Sequence, residues 1–158
     1  MNQQTAYFAA GCFWGVEDRF RSTPGVLDAI SGYMGGHKKD PTYQEVCNGS
    51  TGHTETVQVD FDAEKICFEQ LLDLFFDMHN PTTLNRQGPD FGSQYRSAVF
   101  AVNDQQREAA GKKIAALDES GKWPNPVVTE LNQGGTFWPA EEYHQRYFEK
   151  NGAGFCKA

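Results

Sequence analysis

The sequence predicts a two-layer α/β sandwich, an α+β fold with a ferredoxin-like βαββαβ core and C-terminal additions. Three observations carry that reading. Strand and helix patterns follow one another in the split βαβ order over the first hundred residues. Residues 54 to 61 alternate between two faces, one of them carrying Val57, Val59 and Phe61, and Phe68, Leu71, Leu72, Phe75 and Phe76 recur at i, i+3, i+4, i+7 and i+8.

The first strand is the short apolar stretch Thr5 to Ala10. Gly11 then breaks it before Phe13, Val16, Glu17 and Phe20 resume at helical spacing, and Thr23-Pro24-Gly25 ends that helix. Val26 to Met34 reads as a second strand, stopped by Gly35-Gly36. In the third strand Glu55, Val57, Val59 and Phe61 share one face, so a carboxylate joins an apolar surface. The helix over Phe68 to Phe76 faces the core and terminates at Asn80-Pro81. A long segment from Pro81 to Ser97, of a length that usually serves function, precedes a strand at Ala98 to Val102. Asn103 caps a helix that runs through Ile114 and Leu117 to Gly121. A strand over Val127 to Leu131 and a helix over Ala140 to Lys150 complete the chain.

Length and composition narrow the function. The 158 residues fit one domain, large enough to bury about two-thirds of the surface its unfolded chain exposes. A net charge of −7, with no Lys/Arg cluster beyond Lys38-Lys39 and Lys112-Lys113, argues against nucleic-acid and anionic-membrane partners. With no apolar run near the ~20 residues of a membrane span and no leader pattern, a soluble, cytoplasmic protein is expected. The cysteines Cys12, Cys47, Cys67 and Cys156 form no C-x-x-C pair, so redox chemistry suits them better than zinc or a disulfide framework, and no metal is expected.

The chemistry concentrates around Gly11-Cys12-Phe13-Trp14-Gly15. A cysteine at a strand-to-helix junction sits near unpaired N–H groups and the positive end of the helix dipole, which stabilise the nucleophilic thiolate; the alternative is a small buried thiol in the core. Glu55 on the apolar face is either a carboxyl of raised pKa, able to act as an acid, or a strand-end Glu paired with an Arg or turned to solvent. Tyr33 and Tyr95, each beside turn residues, are hydrogen-bond donors for a polar substrate atom or half-buried packing residues.

Five segments in order carry a resemblance over essentially the whole chain. They are residues 11–15, residues 32–36, Pro41-Thr42-Tyr43 with residues 51–55, residues 90–97, and Tyr143-His144-Gln145. Together they resemble the peptide methionine sulfoxide reductase A family. The resemblance implies one catalytic domain, 1–158, that reduces the S epimer of methionine sulfoxide, free or protein-bound, without a cofactor. Its role for Cys12 is the nucleophile on sulfur and for Glu55 the acid at the sulfoxide oxygen. Tyr33 and Tyr95 would donate to that oxygen, Phe13 and Trp14 hold the methyl group, and Asp90 supports the polar network.

It further implies that Cys12 becomes a sulfenic acid and that a second thiol condenses with it to a disulfide, reopened by thioredoxin or a similar dithiol. Cys156, in a glycine-rich arm at about 151–158 expected to be flexible, is the resolving cysteine, with Cys47 as the fallback and Cys67 structural. A monomer is expected. A Cys-His hydrolase or acyltransferase using His53 or His144 is the main rival, with a thiol peroxidase and a noncatalytic sulfoxide- or peptide-binding module behind it.

Overall fold

The computed structural model describes residues 2–151. In chain order, β1 (Gln3–Ala10), α1 (Phe13–Arg21), β2 (Val26–Met34), a short α2 (Tyr43–Cys47), β3 (Thr54–Asp62) and α3 (Phe68–Asp77) come first. The loop that follows is not structureless. It folds into a small hairpin of β4 (Arg86–Gln87) and β5 (Asp90–Phe91), then a 3-10 turn at Ser93–Tyr95. β6 (Ser97–Ala101) and α4 (Asp104–Ser120) follow, then β7 (Glu130–Gln133), β8 (Trp138–Pro139), a 3-10 turn at Glu142–His144 and α5 (Tyr147–Asn151).

The main sheet has the order β7-β6-β1-β3-β2-β8. Its inner four strands, β6-β1-β3-β2, pair antiparallel throughout, so β1 and β2 run parallel on either side of β3, compatible with the expected ferredoxin-like core. β7 joins one edge parallel to β6, and β8 the other edge antiparallel to β2.

Alternation along β1 explains the two faces of this sheet. Ala6, Phe8 and Ala10 point into the larger core with Val16 and Phe20 of α1, Leu71, Leu72 and Phe75 of α3 and Ala110 of α4. Ala9 lies on the opposite face with Met34, Ala98 and Phe100, covered by Tyr7 and Phe137. Phe8 is the hub: its ring lies 5.0 Å from Phe20, 5.9 Å from Phe68 and 5.2 Å from Phe75. Truncating such a side chain to alanine costs about 3–5 kcal/mol, because the fully buried site cannot close over the void. α4 shows both expected end signals: the Asn103 side chain accepts from Gln106 N–H at 2.8 Å, and Gly121 leaves the helix in the left-handed conformation.

Two C-terminal expectations need correction. The strand expected at Val127 to Leu131 begins later, at Glu130. The helix expected over Ala140 to Lys150 is broken, because Gln145 and Arg146 are tied to distant elements. The Gln145 amide accepts from Ser31 N–H at 3.0 Å and donates to Ser31 C=O at 2.8 Å, acting as a substitute strand partner for β2. Arg146 has a φ of 54°, and its N–H donates to the buried Glu17 carboxylate at 2.8 Å. The positive φ of Arg146 is not available to a residue inside a regular helix.

Candidate active site

Cys12 is the residue that turns β1 into α1. It occupies the N-cap of α1 and is 8 % exposed. The turn depends on Gly11, whose φ is 95°; a Cβ there would also lie 2.8 Å from Gln87 Cγ. Gln87 in turn anchors the β4–β5 hairpin, accepting from Asn80 N–H at 2.9 Å and donating to Asn80 C=O at 2.8 Å. Close backbone approach at Gly11 therefore brings the Asp90 hairpin beside the cysteine turn.

β3 delivers Glu55 to the same place. The side chain is 1 % exposed, as the shared face with Val57 and Val59 predicts. Oε1 accepts from the backbone N–H of Phe13 at 3.1 Å, one residue after Cys12. Oε2 is buried with no hydrogen-bond partner among the described residues. Burial pushes the carboxyl up to about 8, the Phe13 N–H opposing this and the charge of Asp90 adding to it. Asp90 is itself raised by burial.

The tyrosines divide differently from the sequence expectation. Tyr33 pairs in register with Glu55 across β2 and β3, but its hydroxyl donates to Glu141 Oε1 at 2.8 Å. That hydroxyl therefore serves a protein carboxylate in this structure. The charge of Glu55 acts on Tyr33 and likewise on Tyr43, the first residue of α2, and on Tyr95. The phenols of Tyr43 and Tyr95 are raised above their ordinary value by burial first and by the Glu55 charge second, and both sense Cys47. Tyr95 is held through its neighbour: the Arg96 guanidinium donates to Gly52 C=O at 3.0 Å, Ser93 C=O at 2.9 Å and Glu130 at 3.1 Å. That fork fixes the 93–97 turn against the approach to β3.

Aromatic rings surround the cysteine turn. Phe13 is buried, 5.7 Å from the Tyr33 ring and 6.4 Å from that of Tyr43. Trp14 stacks on Tyr147 at 3.8 Å and 7°, and its indole N–H donates to His144 Nδ1 at 2.9 Å. Two residues here escaped the sequence reading, Tyr43 and Glu141. A signal for Tyr43 existed: Thr42 and Glu45 form a capping box, which starts a helix at Tyr43 and sets Cys47 one turn along the same face.

Neither histidine is disposed to activate the thiol. His53 uses both ring nitrogens on backbone, Nδ1 accepting from Gly36 N–H at 3.0 Å and Nε2 reaching Lys38 C=O at 2.7 Å. His144 is fully buried, and burial lowers its pKa; its Nδ1 lone pair is taken by Trp14, which leaves the proton of the neutral ring on Nε2. Cys47 and Cys67 are exposed free thiols; burial of the Cys47 thiol group pushes its pKa up. Cys67 caps α3, its backbone N–H donating to Gln70 at 2.9 Å. Cys156, expected to resolve the sulfenic acid, lies outside the described residues. Among the described residues, no three His, Cys, Asp or Glu side chains form a group that would hold a metal ion, and no helix is long and apolar enough to cross a membrane.

Fold and site together define an α+β protein with a cysteine turn enclosed by a buried carboxyl, tyrosines and aromatic rings. The profile of the family described as peptide methionine sulfoxide reductase matches residues 4–158. The peptide methionine sulfoxide reductase MsrA of Methanoculleus marisnigri is 52% identical over 154 residues, covering 98% of this chain and 94% of its own. Mxr1 from Saccharomyces cerevisiae in reduced form superposes with a TM-score of 0.90 at 36% identity, over 99% of this chain and 90% of that one. Mxr1 in complex with Trx2 matches at a TM-score of 0.64 and 26% identity, over 92% and 85%. The chain therefore belongs to the peptide methionine sulfoxide reductase A family and is a peptide-methionine sulfoxide reductase.

Proposed function

We propose that the chain reduces the S epimer of methionine sulfoxide, free or within proteins, with Cys12 as nucleophile and Glu55 as general acid. The observation that carries this is the Glu55 carboxyl, buried, held by the N–H that follows Cys12, with no hydrogen-bond partner for its second oxygen among the described residues and with burial pushing its pKa up to about 8. A sulfoxide oxygen leaves poorly until protonated, and a positioned acid contributes typically ~10²–10⁴ in rate. The Cys12 thiolate attacks sulfur while Glu55 gives its proton to oxygen. The hydroxyl then ends on Cys12 as a sulfenic acid as methionine departs, so that sulfur is reduced by two electrons and cysteine oxidised by two.

Tyr43 and Tyr95, which share the electrostatic field of Glu55, donate to the sulfoxide oxygen. Phe13 and Trp14 form the apolar wall for the methyl group, and burial keeps Glu55 protonated with the charge of Asp90 adding to it. The thiol of Cys156 condenses with the sulfenic acid, releasing water and forming a disulfide, with Cys47 as the fallback. Thioredoxin or a similar dithiol reopens it, a reading supported by the likeness to the Mxr1 chain solved with Trx2. A monomer working in the cytoplasm completes the proposal, in keeping with widely spaced cysteines that form no C-x-x-C motif.

The test mixes reduced protein with an S-epimer substrate in the absence of reductant and counts methionine and remaining thiols. About one methionine per enzyme and the loss of two thiols are expected, with none from Cys12→Ser. Equal turnover of the R epimer, or methionine release by Cys12→Ser, refutes the scheme.

A further inference from the structure

Glu141 brings a second carboxyl beside the site, and its two oxygens are used separately. Oε1 accepts from the Tyr33 hydroxyl at 2.8 Å, and Oε2 accepts from the backbone N–H of Tyr43 at 2.9 Å. As the first residue of α2, Tyr43 carries one of the N–H groups that a helix start leaves without an internal partner. The Thr42 cap does not serve it, because that side chain accepts from Glu45 N–H at 3.2 Å. A five-residue helix has too few internal hydrogen bonds to fix its own position.

The side-chain end of Tyr43 is placed by contact. Its ring lies 4.3 Å from that of His144 and 6.4 Å from that of Phe13. Burial alone would raise the Glu141 carboxyl, but the Tyr43 N–H and the Tyr33 hydroxyl outweigh it and hold the group below the usual carboxylate range. The bridge therefore remains anionic at neutral pH and accepts through both oxygens.

We propose that Glu141 is a positioning residue for the reduction: by clamping the Tyr33 hydroxyl to the Tyr43 N–H, it sets the Tyr43 hydroxyl against the sulfoxide oxygen. This rests on the role given to Tyr43 above. Tyr33 belongs to the same device, as the fixed point on the rigid sheet from which the clamp reaches α2.

A double-mutant cycle on the first-turnover rate of methionine formation tests it. Glu141→Ala is expected to slow that step about tenfold, and Tyr43→Phe to slow it as well. The double variant should be within about twofold of Tyr43→Phe alone, since a clamp has nothing to position once the hydroxyl is gone. Glu141→Gln should stay within about threefold of the natural protein, its amide oxygen meeting the Tyr43 N–H and its NH₂ the Tyr33 oxygen.

If Glu141→Ala fails to fold, the cycle is run with Tyr33→Phe, which removes one end of the bridge and should slow the step only while Tyr43 is present. Losses that multiply in either cycle, or natural rates for Glu141→Ala, overturn the positioning role. A natural rate for Tyr43→Phe instead overturns the reading of Tyr43 itself.

Discussion

Replacing Glu55 by Gln separates the acid from its shape, and its expected size follows from the burial of the carboxyl. At a pKa of about 8, Glu55 is about 90% protonated at pH 7, where a carboxyl at 4.5 would be about 0.3% protonated. The site thus gains about 300-fold in acid available at neutral pH. First-turnover methionine formation by the reduced protein, followed by rapid quench from pH 6 to 10, should fall above about pH 8 and approach tenfold per pH unit. In Glu55→Gln the rate should be lower by about 10²–10⁴, and the alkaline fall should disappear. The same carboxyl also affects folding. Its folded pKa lies above the unfolded value, so the stability associated with the neutral form is fully present below about pH 4.5 and is lost as pH rises toward 8. That loss is on the order of 4 kcal/mol, and Glu55→Gln should not show it. Rates that stay flat through pH 9.5, an alkaline fall that survives in Glu55→Gln, or parallel stability curves for the two proteins would refute the reasoning.

Cys156→Ser should still release about one methionine per enzyme but cease multiple turnover with a thioredoxin-type reductant; full steady-state turnover would transfer the resolving role to Cys47. Asp90→Asn removes a charge that raises Glu55, so the alkaline limb of the first-turnover profile should move to lower pH, and an unmoved limb would show that Asp90 does not tune the acid. His79 is buried, with Nδ1 on Phe75 C=O at 2.6 Å and Nε2 on Ser97 Oγ at 2.7 Å, and burial lowers its pKa to about 4. A depressed folded pKa means that stability is intact above about 6.5 and falls as pH drops toward 4, by about 3 kcal/mol. Thermal melts of His79→Gln should lack that acid sensitivity; equal slopes for both proteins would contradict it.

Parts of this molecule with a local cause are visible in the sequence. The alternation of β3 turns Glu55 inward, the i, i+3, i+4 pattern of α3 sets its buried face, and Asn103 and Gly121 mark the ends of α4. Gly11 announces the cysteine turn because a positive φ leaves a residue-type signature. The site was less legible where its geometry depends on side chains bonding backbone far along the chain. Tyr33 and Tyr43 both follow turn-forming residues, and Tyr33 even faces Glu55 in strand register. What separates them is Glu141, 108 residues from Tyr33 and 98 from Tyr43, and no periodicity relates those positions.

The segment after β8 shows the same limit in its backbone. Residues 140 to 150 have a helical composition, yet Gln145 pairs with Ser31 and Arg146 with Glu17, 114 and 129 residues away, and these bonds override the local preference. The override has a functional consequence. A continuous helix there would put positions 141, 144 and 145 at fixed angles around one axis. The broken path instead lets Glu141 reach α2, His144 reach the Trp14 indole and Gln145 complete the edge of β2. The C-terminal segment is therefore legible as an addition to the core, whereas its part in the site follows from three long-range hydrogen bonds that only the folded chain displays.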